Sequence, residues 1–246
     1  MSLFVIADLH LPGAEGERKS MSCFGRRWID AEEKLIKNWN AIITESDSVV
    51  IPGDISWAMT LQEAKEDFEL INSLPGTKYI GKGNHDFWWT TASKITAFFK
   101  ENKLSTINLL HNNSYLLPEG VICGTRGWFP DEANQKTVGE VDWKKIVNRE
   151  ATRLEISIES AKDFPQETER IVFLHFPPVW SSIVCEDIIS VLKKHSIKRC
   201  YYGHIHGIYT CPPSFEYEGI VFEMISADYL DFIPKKIANS PKSIDR

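Results

Sequence analysis

Apolar positions along this chain follow two alternating patterns. Short runs rich in β-branched residues read as strands buried on both faces. Between them, apolar residues recur every three or four positions, the spacing of a helix with one buried face. Strands are predicted at residues 3–7, 48–52 and 78–81, and helices at 30–45, 61–74 and 90–102. This order predicts a mainly parallel sheet, because parallel neighbours need a crossover long enough to hold a helix.

The pattern changes at residues 114–128, where two apolar runs flank Pro118-Glu119-Gly120. A turn of that composition predicts an antiparallel pair. A long charged helix is predicted over 141–164, followed by strand 170–176, helix 186–196, strand 198–203 and a β segment at 219–226. No repeat or polar linker interrupts the chain, so a single domain over residues 1–246 is expected, with the polar stretch 233–246 fraying at its end.

Composition narrows the partners. A chain of 246 residues that is 43% hydrophobic can bury a large core. The formal net charge of -6 opposes nucleic-acid polymers and anionic membranes, which disfavours a nuclease. The opening residues lack a basic lead-in, and their apolar run is broken by Asp8, so no signal peptide is expected. No apolar run reaches membrane-spanning length. Cys23, Cys123, Cys185, Cys200 and Cys211 are scattered without paired metal or redox spacing, which predicts reduced thiols and a cytoplasmic location.

Candidate chemistry gathers where the predicted strands end. Strand one runs into Asp8 and His10, strand two into Gly53-Asp54, and strand three into Gly83-Asn84-His85-Asp86. A later strand runs into His175, and another into Gly203-His204-Ile205-His206-Gly207. Open α/β sheets place their sites at these carboxyl ends. Asp8 and His10 stand two apart on a segment expected to be extended, so both side chains leave one face and can grip one ion; His204 and His206 repeat the spacing. Carboxylate, imidazole and amide donors together suit divalent Mn, Fe, Zn, Co or Ni.

The ordered set D-x-H, G-D, G-N-H-D, H and G-H-x-H resembles the calcineurin-like metallophosphoesterase superfamily from Asp8 to His206. That resemblance implies a four-layer α/β/β/α sandwich and two divalent metal ions, with manganese favoured. It implies that Asp8, His10 and His206 hold one ion, that Asn84, His175 and His204 hold the other, and that Asp54 bridges them. His85 is left free of metal to stabilise the transition state or protonate the leaving oxygen. Two such cations, about 3.5–4 Å apart, acidify a shared water for in-line attack on phosphorus and neutralise the phosphoryl oxygens.

Departures from the resemblance narrow it. Trp57 stands where the phospho-Ser/Thr phosphatases have a second Asp that orients the catalytic histidine, and where purple acid phosphatases have a metal-binding Tyr. Neither branch is favoured, which leaves a bacterial-type group acting on small phosphate monoesters or diesters. A non-catalytic metal-binding scaffold is the competing class, opposed by the complete ligand set and by His85. Candidates for substrate contact lie in Arg26-Arg27-Trp28, Arg126-Gly127-Trp128 and Phe87-Trp88-Trp89, with Arg26 and Arg126 able to fork onto phosphate. His111 and His195 fit no pattern and are expected at surface or satisfied core positions.

Overall fold

A computed structural model describes residues 1–13, 21–128 and 143–237. The first half of the chain contains β1 (Leu3–Val5), α1 (Ala31–Ile42), β2 (Ser48–Pro52), α2 (Lys65–Ser73), β3 (Thr77–Gly81), α3 (Ala92–Glu101) and β4 (Ile107–Leu109). Strands β5 (Ser114–Leu117) and β6 (Gly120–Thr125) follow, then α4 (Trp143–Glu159), β7 (Arg170–Leu174), β8 (Val179–Trp180) and β9 (Ile183–Val184). The described chain closes with α5 (Glu186–Lys194), β10 (Arg199–Tyr202), β11 (Ser214–Tyr217), β12 (Ile220–Met224) and β13 (Lys235–Lys236).

Two sheets carry the architecture. The first has the order β13-β1-β2-β3-β4, parallel except for β13. The second has the order β11-β12-β10-β7-β6-β5, with four parallel central strands and an antiparallel strand at each edge. The predicted turn at 118–120 closes one of those edges, pairing Leu117 with Gly120.

Side-chain alternation along the strands sorts the core. Leu3 and Val5 join Val50, Tyr79, Ile122, Ile171, Phe173 and Tyr201 in an apolar cluster drawn from both sheets. Phe4, Val49, Ile51 and Ile80 instead pack with Leu35, Trp39, Phe68, Ile71, Ile95 and Phe99 of α1, α2 and α3. Val121, Cys123, Val172, Leu174 and Cys200 pack with Leu154, Ile158, Ile188 and Leu192 of α4 and α5. These central strands therefore have two apolar faces, which is why their sequences read as continuous apolar runs.

Helix ends follow local chemistry. Thr91 caps α3 by accepting from the Lys94 amide at 3.4 Å. Glu186 and Asp187 open α5 and Lys193 and Lys194 close it, each charge complementing the helix dipole. Residues 233–237 depart from the expectation of fraying, because β13 pairs antiparallel with β1 through Phe4 and Lys236. The Ile237 amide also donates to the Leu3 carbonyl at 2.8 Å. Residues 238–246, and the start of the predicted long helix at 141–142, lie outside the described residues.

Candidate metal centre

The strand ends converge as the motif order predicts, but not through the pleat of extended strands. Asp8, His10, Asp54 and His204 have φ of 60°, 46°, 50° and 71°, in the left-handed region. The regular strand β1 stops at Val5, and the segment beyond it runs beside the second motif. The amides of Asp8, His10 and Leu11 donate to the carbonyls of Gly53, Asp54 and Ile55 at 3.0, 3.0 and 2.9 Å. Alternation on an extended segment therefore does not explain how Asp8 and His10 come together, and His204 and His206 face different neighbours. Such backbone is costly for non-glycine residues and persists where surrounding hydrogen bonds over-determine it.

Asp86 supplies much of that determination. Its Oδ2 accepts from the Asp54 and Gly83 amides at 2.9 and 2.7 Å. Its Oδ1 accepts from the Ile55 and Ser56 amides at 2.8 and 3.3 Å and from Trp88 Nε1 at 3.0 Å. This fully enclosed carboxylate ties the second motif to the third. Close approach also demands glycine: a Cβ on Gly53, whose φ is 105°, would stand 2.6 Å from the Gly83 nitrogen.

The ligand-type atoms form two adjoining groups. In one, His10 Nε2 and His206 Nε2 are 3.2 Å apart beside Asp8. In the other, Asn84 Oδ1 lies 2.6 Å from His175 Nε2 and 3.0 Å from His204 Nδ1. Asp54 Oδ2 lies between the groups, 3.6 Å from His10 Nε2 and 3.5 Å from His175 Nε2. That oxygen is buried and has no hydrogen-bond partner, whereas Asp54 Oδ1 accepts from the His85 amide at 2.8 Å. Donor atoms about 3 Å apart around an unpartnered carboxylate oxygen fit the coordination edges of small divalent cations.

Electrostatics agree with that fit. Burial raises the Asp54 carboxyl to about 7, leaving it short of compensating positive charge. Burial also keeps the His10 imidazole well below its usual range and lowers His204 to about 3, so both present neutral nitrogen donors. Around Asp8, burial works against ionisation, but His175, His206 and His10 outweigh it and hold the carboxyl low. A third grouping, Glu155, Glu159 and His195, lies on α4 and the end of α5. There Glu155 already accepts from Lys194 Nζ at 2.6 Å and pairs with His195 Nε2 at 2.8 Å.

Sequence patterns missed Asp228. This buried carboxylate follows β12 and accepts from His206 Nδ1 at 2.8 Å, the Gly207 amide at 3.0 Å and the Tyr209 hydroxyl at 3.1 Å. It fixes the His206 tautomer with Nε2 turned toward His10. Nothing in the spacing of an isolated Asp in Ser226-Ala227-Asp228 signals that partner. Trp57 is also better explained by the structure. It stacks on His10 at 4.9 Å between ring centroids and lies 4.3 Å from His85, forming an aromatic wall beside both imidazoles.

The substrate candidates separate. Arg26 is exposed on a short 3-10 turn. Its neighbour Arg27 is committed, donating to the Asp228 and Tyr229 carbonyls at 2.8 and 2.9 Å. Trp28 is buried edge-on against His10 and His206. Trp88 and Trp89 belong to the core, while Phe87 is exposed beside His85. Arg126 follows β6, and its carbonyl accepts from the His175 and Phe176 amides at 3.1 and 2.9 Å. His111 packs on Trp89, 5.4 Å between centroids.

Several solved structures share this fold. A phosphopantetheinyl hydrolase from Mycobacterium tuberculosis aligns at a TM-score of 0.59 and 13% identity, covering 100% of this chain and 98% of its own. The TT1561 protein of Thermus thermophilus aligns at 0.57 and 11% identity over 92% and 89% of the two chains. GAP50 of Plasmodium, an anchor in the inner membrane complex, aligns at 0.54 and 13% identity over 93% and 72%. No curated protein matches the chain. At such identities the likeness speaks for the fold, and the sequence itself speaks for the family. The calcineurin-like phosphoesterase model matches residues 1–207, a span that takes in every strand end contributing to the two donor groups, and the chain therefore belongs to that family of metal-dependent phosphoesterases.

Proposed function

We propose that the protein hydrolyses a small-molecule phosphate monoester or diester at a centre of two divalent metal ions. The observation that carries this reading is Asp54 Oδ2, a buried carboxylate oxygen without a hydrogen-bond partner that faces His10 Nε2 at 3.6 Å and His175 Nε2 at 3.5 Å. Asp8, His10 and His206 would hold one ion and Asn84, His175 and His204 the other, with Asp54 shared. Mixed oxygen and imidazole donors suit manganese. When bound, the two cations supply an activated water and neutralise charge on the phosphoryl oxygens.

The chain's own residues do the rest. Asp228 orients His206, and the His204 amide orients Asp8 by donating to Oδ2 at 2.8 Å. His85 is positioned from its backbone by Asp54 and from its ring by Trp57, and it delivers a proton to the leaving oxygen. The apolar clusters on either side of each sheet support the four-layer α/β/β/α order and one domain. No helix of the described residues is long and apolar enough to cross a membrane. Thiols such as the buried Cys123, Cys185 and Cys200 are free, which supports a reducing cytoplasmic setting.

The test is hydrolysis of matched chromogenic phosphate diester and monoester probes by manganese-loaded protein, with a chelated sample beside it. Chelator-sensitive turnover supports the reading, and the faster probe separates diesterase from monoesterase. Two bound ions with no turnover of phosphate esters would overturn it in favour of a scaffold.

A further inference from the structure

Beside the candidate metal centre is a corner with more positive charge than the catalytic reading uses. Glu150 of α4 is completely buried. Its Oε2 accepts from Thr125 Oγ1 at 2.9 Å, at the end of β6. Three guanidinium groups converge on its other oxygen: Arg153 Nη1 at 2.6 Å, Arg126 Nη2 at 3.4 Å and Arg149 Nε at 3.6 Å. Among the described residues one carboxylate faces three guanidiniums and cannot balance them, and the two longer contacts are weak hydrogen bonds at best. Arg126 Nε and Trp128 Nε1 are buried donors without an acceptor among the described residues. The Arg126 guanidinium lies over the Trp128 ring, 4.7 Å from its centroid, which adds no negative charge.

The nearby Asp86 has its oxygens occupied by four backbone amides and Trp88 Nε1. The corner also touches the candidate centre. Arg126 holds the His175 amide through its carbonyl, and Trp128 packs on Phe176 at 4.8 Å, which in turn packs on His204 at 4.3 Å between ring centroids.

We infer that Arg126 and Arg153 form an anion subsite that takes a second phosphoryl group of the substrate while the scissile phosphate sits at the metal centre. Guanidinium groups match phosphate oxygens in planar geometry, and partial burial strengthens the attraction relative to open solvent. The inference rests on the proposed hydrolase reading and adds a substrate class: phosphate esters that carry a further phosphate, in preference to esters of neutral alcohols.

Two measurements on the full chain test it. The first is titration of chelator-treated protein with inorganic phosphate, followed by phosphorus NMR. Binding should weaken by about tenfold in Arg153→Gln, the size of one charge-assisted hydrogen bond, and Arg153→Lys should recover part of it. Thermal melts of the same variants establish that they are folded. The second compares phosphate release from a hexose bisphosphate and the matching hexose monophosphate by manganese-loaded protein. A preference for the bisphosphate of about tenfold in kcat/KM, lost in Arg153→Gln, supports the subsite. Equal phosphate binding by the native protein and the variants overturns it, as does turnover of both sugars without preference. If neither sugar is hydrolysed, the phosphate titration still decides the subsite, and the failure falls on the catalytic reading.

Discussion

At the scale of single residues, the candidate site separates side chains that would hold metal from those that would act beside it. His85 meets Trp57, while the oxygens of its neighbour Asp86 accept from backbone amides. His85→Asn should lower kcat by about 10²–10⁴-fold, the range of general acid catalysis, while metal content measured by elemental analysis stays at the native level. Asp228 acts one step further out, through His206 Nδ1. Asp228→Asn should weaken metal binding by about 10–100-fold in a competition titration with a chelating dye. Asp54 sets a pH dependence with a definite sign. Burial raises its carboxyl to about 7, so in metal-free protein it keeps its proton below that pH, and a cation must displace the proton to bind. Metal affinity should fall as pH drops through 7, by up to about tenfold per unit for each proton displaced, in isotherms recorded at pH 6 and pH 8.

At the scale of elements, the site depends on how closely strand ends can approach. A Cβ on Gly203, just after β10, would stand 2.5 Å from Asp8 Oδ2 and 2.7 Å from the Ala7 Cβ. Gly203→Ala must therefore push Asp8 away from its partners. The expected cost is about 1–3 kcal/mol of stability by denaturant melts, together with loss of metal measured by elemental analysis. The sheet edges show why some elements were legible and others were not. The central strands β2, β3, β6, β7 and β10 are apolar on both faces and stand out as continuous runs. β13 is only Lys235 and Lys236, and it is a strand because β1 offers an open edge at Phe4 and Val5. β4 and β11 also escaped prediction, being three and four residues long with half-exposed positions. Helix α2 is regular only from Lys65, but Thr60 and Glu63 form a reciprocal capping box and the Ala64 amide donates to the Thr60 carbonyl at 3.1 Å, so a capped turn begins where the expected helix starts.

At the scale of the whole molecule, two sheets deliver strand ends to one place, so metal binding and folding are thermodynamically linked. The candidate ligands come from residues as far apart as Asp8 and His206, and an unfolded chain cannot gather them. A free metal concentration a hundredfold above Kd should add about 2.7 kcal/mol, or roughly 5–10 °C in melting temperature for a chain of this length, and chelation should reverse the shift in a thermal melt. Several features were legible in the sequence alone: the alternation of strands and helices, the β5–β6 turn, and the ordered Asp, His and Asn residues at strand ends. These are local properties, written in periodicity and in motifs a few residues long. Tertiary structure decided the rest. It set the left-handed backbone at Asp8, His10, Asp54 and His204, the knot of amides on Asp86, and the assignment of Arg27 to two carbonyls and Arg126 to the corner of Glu150. It also brought Asp228 to His206, a hydrogen bond across 22 residues. Such contacts join segments that carry no shared period, and they exist only once the burial of two apolar sheet faces has paid for bringing those segments together.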